Sequence, residues 1–256
     1  MTEGLNAFKG LTKDIPEIRI RLPYSGQEIL MRPFTTKEQI GLLKALEKND
    51  IDLVNEAFDA MLTNCVLNED FSIGDITSKE RDLLLIKLRI ESVTEEYKVP
   101  WKCEKCEKSN LNGLDLTTLS ILEPKSKMDE EIKLSDRDCI LFYGITRRKD
   151  EKLANAYIKK LENDLKEDES LLDQEVADCI YASIIQKMKI GENEYTDMSL
   201  EERLEIVTDM DLNDKTKIQK FAEQIKGLEY NLNYEAVCTC AHKQNQELEW
   251  VAFFIL

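Results

Sequence analysis

Two short stretches hold the residues best suited to chemistry in this 256-residue chain. In KVPWKCEKCEKSN, Cys103 and Cys106 stand three positions apart. In VCTCAHKQNQ, Cys238 and Cys240 stand two apart, with His242, the sole histidine, just beyond. A Cys-x-x-Cys turn brings two thiolates to one side of the chain, and a structural Zn²⁺ takes four such ligands in a tetrahedron. The four cysteines together therefore make one expected Zn²⁺ site, with His242 able to replace either ligand of the second pair. Such a site is structural, because catalytic zinc needs an open position and a nearby base, and the flanking residues suggest neither. Two other readings compete. A thioredoxin-like redox pair opens a helix in a βαβ unit, whereas Cys103 follows an alternating strand pattern. Alternatively, the four are leftover thiols of a degenerate site, a reading to which the less usual Cys-x-Cys spacing lends weight.

The remaining chemistry is thin. Cys65 and Cys179 fall on apolar helix faces and Cys139 in a strand, where cysteine behaves as a small core residue. One histidine removes His-rich metal chemistry and makes a Ser-His-Asp arrangement a poor fit. There is no phosphate-binding glycine loop, and carboxylate runs such as DLKEDES read as solvated helix surface. The chain is expected not to be an enzyme. Its 35 basic against 51 acidic residues leave a net charge of −16, which argues against nucleic-acid backbone binding as its main task. No apolar run approaches the roughly 18–20 residues of a membrane span, and the N-terminus lacks a secretory signal pattern. A soluble protein used inside a cell, without a disulfide framework, is the expectation.

The elements that would position the cysteines can be read from periodicity. EIRIRLPYSGQEILMRPF alternates around a Pro23–Gly26 turn and reads as a β-hairpin. TTKEQIGLLKALEKND is a Thr-capped helix with Ile40, Leu43 and Leu46 on one face. Leu53, Val54, Ala57, Phe58, Met61, Leu62 and Cys65 form the buried stripe of the next helix. A third begins at DITSKER, where Thr77 and Glu80 make a capping box. Tyr97, Val99, Trp101 and Cys103 then alternate as a strand leading into the first cysteine pair, and Leu114 and Leu116 suggest a return strand.

Beyond a polar linker the order repeats: a hairpin at EIKLSDRDCILFYGI, and helices through Ala154 and Ile158 and through Cys179 and Ile184. A capped helix follows at DMSLEER, with Ser199 and Glu202, then a helix through Phe221 and Ile225. A strand from Leu228 to Ala236 enters the second pair. This implies a diverged internal duplication and a helix-rich α+β fold of two pseudo-repeated lobes, each with a hairpin, helices and a zinc-ribbon-like strand–Cys-knuckle unit. The expected divisions are a tail at 1–16, lobe 1 at 17–120, a linker at 121–130 and lobe 2 at 131–256. The closing WVAFFIL reads as a core strand, and the zinc as a clasp between the lobes.

IRLPYSGQEILMRPFTTKEQIGLLKAL resembles the opening of the baseplate hub and hub-assembly proteins of T-even-type contractile-tailed bacteriophages. Those begin with a strand, a Leu-Pro-x-Ser/Gly turn, a second strand carrying Arg-Pro, and a Thr-x-Glu helix start. Leu22, Pro23, Ser25, Gly26, Arg32, Pro33, Thr36 and Glu38 stand in that pattern. Leu88, Arg89, Ile90 and Ser92 match a Leu-Arg-Ile-x-Ser segment, although Val93 and Thr94 replace the aromatic-glycine pair that should follow. The likeness is firm over about 17–120 and weaker beyond. It implies a non-enzymatic tail protein, a hub subunit or a factor that assembles the hub without staying. Its partners would be other baseplate hub and tail proteins, with no membrane role. It would be found in the host cytoplasm during assembly and, for a subunit, in the virion baseplate. Oligomeric state is not set by the sequence. The competing reading is a zinc-ribbon regulatory or nucleic-acid-binding adaptor, with Lys98, Lys102, Lys105 and Lys108 as its contact face.

Overall fold

The computed structural model describes residues 17–118, 129–165, 169–225 and 233–247. The expected tail at 1–16, the linker apart from its last two residues, the strand pattern at 228–232 and the WVAFFIL segment lie outside them. The described chain is helix-rich α+β, and it divides into two compact units. The first takes residues 17–71, 81–118 and 233–247; the second takes 72–80, 129–165 and 169–225. Residues 233–247 thus group with the first unit instead of with the rest of 131–256. The reason is the cysteine pair they carry, described below.

In the first unit, β1 (Ile18–Arg21) and β2 (Glu28–Met31) pair antiparallel from Ile18–Met31 to Arg21–Glu28. Gly26, at φ +69°, turns the chain where a side chain would be strained. Helices α1 (Thr36–Leu46) and α2 (Ile51–Cys65) follow, then α3 (Ser78–Ser92), which belongs to this unit from Arg81 on. Asp50 caps α2 by accepting from the backbone N–H of Asp52 and Leu53. Val54, Phe58, Met61, Leu62 and Cys65 are buried along the expected stripe. Helix α1 is rotated from expectation: Leu42 is its buried residue, while Ile40 and Leu43 are 46% and 37% exposed.

That rotation is set at the helix start. The Arg32 guanidinium bonds Glu38 at 2.8 Å and the Asn64 carbonyl at 3.0 Å, and the Arg32 N–H bonds the Cys65 carbonyl at 2.9 Å. With Glu38 held inward, the residues four and eight positions on, Leu42 and Leu46, turn inward too. The Phe34 N–H donates to Ser92 Oγ at 3.0 Å, tying in the end of α3. Arg32, Glu38 and Ser92, all in the phage-like pattern, are therefore fold anchors. Burial alone would raise the Glu38 carboxyl, but hydrogen bonds from Arg32 and from the Thr35 hydroxyl and N–H hold it down to about 2. A carboxyl lowered on folding stabilises the protein above its ordinary value of 4.5 and loses that contribution as pH falls toward 2. Glu38→Gln should therefore lower stability at pH 7 by about 1–2 kcal/mol and flatten acid denaturation between pH 4.5 and 2, read by circular dichroism. An unchanged acid limb would show that Glu38 carries none of it.

In the second unit a four-stranded antiparallel sheet runs in the order β5 (Asp129–Lys133), β6 (Cys139–Gly144), β7 (Ile185–Ile190), β8 (Asn193–Tyr195). Helices α4 (Arg148–Asp164), α5 (Glu169–Ile184), α6 (Leu200–Thr208) and α7 (Leu212–Ile225) belong to the same unit. The expected hairpin forms as β5–β6, but the β7–β8 hairpin was not anticipated. Its turn glycine, Gly191, has φ +59°. Leu141, Tyr143, Cys179, Ile185, Val207 and Phe221 are among the core residues, and Tyr143 meets Phe221 edge-on at 5.0 Å.

Both expected capping boxes form. The Thr77 N–H donates to Glu80 and the Glu80 N–H to the Thr77 hydroxyl, each at 3.1 Å. The Ser199 N–H donates to Glu202 at 2.7 Å and the Glu202 N–H to the Ser199 hydroxyl at 3.2 Å. The arginine after each box is buried against a buried aspartate and a backbone carbonyl. Arg81 bonds Asp59 at 2.7 Å and the Asn55 carbonyl at 3.2 Å. Arg203 bonds Asp150 at 2.6 Å and the Ile185 carbonyl at 3.0 Å.

Candidate metal centre

Two short ribbons of the first unit carry the cysteines. β3 (Glu96–Lys102) and β4 (Ser109–Asp115) pair antiparallel, with Lys102 opposite Ser109 at the closing end. β9 (Asn233–Val237) and β10 (Lys243–Glu247) pair with Val237 opposite Lys243. The turns beyond those last pairs hold Cys103 and Cys106 in one ribbon, and Cys238 and Cys240 in the other. The strand period of two puts Trp101 and Cys103 on one face, and Ala236 and Cys238 on one face. These four are buried and pack together, with Cys106 and Tyr234 half-buried against them; Cys240 is exposed.

The turns are built alike. The Cys103 N–H donates to the Lys108 carbonyl at 3.0 Å and the Cys238 N–H to the His242 carbonyl at 2.9 Å, closing each loop. The residue after each second cysteine, Glu107 at φ +57° and Ala241 at φ +65°, is left-handed, a conformation costing a side-chain-bearing residue about 1–2 kcal/mol. Each turn also aims a backbone N–H at sulfur: that of Lys108 at Cys106, and that of Cys240 at Cys238. The Gln244 side chain on β10 joins the turns. Its Nε2 donates to the Lys102 carbonyl at 3.2 Å and its Oε1 accepts from the Glu104 N–H at 3.0 Å, bracketing Cys103.

Across the ribbons, Cys103 Sγ lies 3.8 Å from Cys240 Sγ and Cys106 Sγ lies 3.6 Å from Cys238 Sγ. A disulfide is about 2.05 Å long, so these are free thiols. All four sulfurs fall within 4.8 Å of one another, a group that can hold a metal ion. The Cys240 N–H, aided by hydrogen bonds with the other three thiols, holds Cys238 down to about 6. At Cys106 the Lys108 N–H acts to lower the thiol, but burial and hydrogen bonds with the other three push it up to about 11.

Cys103, Cys106, Cys238 and Cys240, the four cysteines grouped from the sequence, lie together although Cys103 and Cys240 are 137 positions apart. His242 enters through its backbone carbonyl, and its ring is not one of the grouped ligand atoms. Cys65, Cys139 and Cys179 are buried elsewhere as expected, and burial pushes Cys65 and Cys179 up to about 11, where a thiol is inert. Lys98, Lys102, Lys105 and Lys108 are exposed, but Lys102 pairs with Glu107 at 3.8 Å, and Glu104 is interleaved. Gln244 was not foreseen; a polar side chain two residues beyond a closing turn is its only sequence signal.

A family model described as T4 bacteriophage base plate protein matches residues 15–255. No curated protein matches the chain, and no solved structure does.

Proposed function

Because the chain belongs to the T4 bacteriophage base plate protein family, we propose that it works in the baseplate hub of a contractile tail, as a hub subunit or as the factor that assembles the hub. It acts through contacts with other hub and tail proteins and performs no chemistry of its own. The observation that carries this reading is the family match over nearly the whole chain. The resemblance of residues 17–120 to hub and hub-assembly proteins supports the narrower assignment to the hub.

The structure supports it in kind. The anchors Arg32, Glu38 and Ser92 hold elements together, and the cysteine turns hold ribbons together. Ile40, Leu43 and Ile51 stand exposed on the first unit, apolar side chains of the sort that bury against a partner. The net charge of −16 favours basic protein partners and disfavours nucleic acid. In that role the protein acts in the host cytoplasm while tails assemble.

The test is genetic. Deleting the gene from its phage should abolish complete tails, with free tail parts accumulating, and supplying the chain in trans should restore them. Mass spectrometry of purified particles then separates the roles, since a subunit is found in the particle and an assembly factor is not. Normal tails in the protein's absence would overturn the proposal.

A further inference from the structure

We propose that Cys103, Cys106, Cys238 and Cys240 bind one Zn²⁺ through all four sulfurs in a closed structural site, and that Gln244 positions the two turns for it. The inference rests on the geometry of the ribbons and holds whatever role the protein has in the baseplate.

Four observations converge. A tetrahedron with Zn–S bonds of about 2.3 Å has S–S edges of about 3.8 Å, and the two cross-ribbon distances are 3.8 and 3.6 Å. The most distant sulfurs, at no more than 4.8 Å, need close by only about 1 Å to reach that edge. Sulfurs this near enclose a single ion, because a polynuclear cluster holds its cysteines further apart. The ligand set is all thiolate, which suits zinc over the hard, oxygen-seeking divalent ions.

The turns supply the rest. Each accepts a left-handed residue, Glu107 or Ala241, at the same place after its second cysteine. Each directs a backbone N–H at a sulfur two residues back, which offsets the negative charge of metal-bound thiolate. Gln244 fixes the Lys102 and Glu104 backbone on either side of Cys103 from the other ribbon. It touches no sulfur in this arrangement and orients the ligands as outer-shell groups do. Trp101 packs in the same buried cluster as Cys103 and Cys238, which keeps water from one side of the sulfurs.

With four protein ligands the ion has no open position, so the site holds shape and does not activate water. The ligands must lose their protons as the ion enters. No bond other than metal–sulfur forms.

The full-length protein, purified under reducing conditions, should contain one zinc per chain by elemental analysis. Cobalt(II) added to the metal-free protein should saturate at one equivalent, with intense sulfur-to-cobalt charge-transfer bands and the visible bands of a tetrahedral thiolate ion. Cys240→Ser, at the most exposed ligand, should weaken those bands. Gln244→Ala should lower zinc affinity about 10–100-fold by chelator competition, while its saturated cobalt spectrum stays that of a four-sulfur site. A folded, metal-free protein whose thiols react with a disulfide reagent equally fast with and without zinc would overturn the site. Cross-ribbon disulfides in the purified protein, or iron as the bound metal, would overturn it as well. Unchanged affinity in Gln244→Ala would remove Gln244 from its role.

Discussion

Stripping the proposed zinc from the purified chain is expected to destabilise the first unit by about 3–5 kcal/mol. The range follows from what the ion cross-links. Cys106 and Cys238 are 132 positions apart, and closing a loop of that length in an unfolded chain corresponds to about 5 kcal/mol in the chain-entropy account of a covalent cross-link. The intervening segment is not featureless, because it contains the whole described second unit except residues 72–80. If that unit stays folded while the first opens, its body shortens the effective loop, and the contribution falls toward the roughly 3 kcal/mol of a short one. The size of the loss therefore reports whether the units unfold together. Tryptophan fluorescence gives the reading, since Trp101 and Trp250 are the only two and neither lies in residues 122–229. Trp101 packs in the cysteine cluster itself, and a Trp250→Phe background isolates it. Denaturant midpoints of that signal that coincide with and without chelator would show that no metal supports the first unit.

The grouping of the four cysteines was the most legible part of the chain, because paired cysteines at ligand-like spacing leave a mark that needs no knowledge of the fold. Two pairs at the ends of alternating strands imply two turns, and four soft ligands imply one site. Which sulfur would face which was not legible. Cys103 lies nearest to Cys240, and Cys106 to Cys238, a crossing set by how the ribbons meet. Nor was Gln244, whose part depends on the register of β10 against the opposite turn. The grouping of residues 233–247 rests on the same meeting of ribbons. Sequence order places Cys238 after residues 131–225, whereas the ribbons bring residues 233–247 back to the first unit.

Local signals carried most elements, and the exceptions have identifiable causes. Capping boxes at Thr77 and Ser199 were readable because a cap is settled within four residues. The hairpin β7–β8 was passed over because α5 ends at Ile184 and β7 begins at Ile185 with no breaker between them, so the apolar run reads as more helix. The signal was present further on, in the alternation of Met188 and Ile190 before Gly191. For α1, an apolar count favoured Ile40 and Leu43, but the Arg32–Glu38 pair set the phase. A charged pair that outweighs two apolar side chains cannot be seen from periodicity.

The two capped arginines show best how a local motif reaches into the core, and they carry the second large effect. Arg203→Met should cost about 3–5 kcal/mol, the usual loss when one partner of a buried ion pair is removed. Arg203 and Asp150 are 3% and 4% exposed. The guanidinium also serves the Ile185 and Ser199 carbonyls, so truncation removes three directed bonds at once, although the Ser199 carbonyl keeps the Arg203 backbone N–H at 3.2 Å. Arg147 still reaches Asp150, at 3.0 Å, so the aspartate keeps one cationic partner and the loss does not grow further. Arg203→Lys should recover less than half, because a single ammonium cannot reproduce three directed bonds from one planar group. Arg81→Met, which removes the Asp59 and Asn55 bonds in the first unit, should show a loss of similar size. At about 2–4 °C per kcal/mol for a chain of this length, the expected fall in thermal midpoint is about 10 °C for either methionine variant. A midpoint within a degree of the parent would mean that the core closes over the missing pair without penalty. The resemblance between the two arginine sites would then be one of sequence, with no shared role in holding the fold.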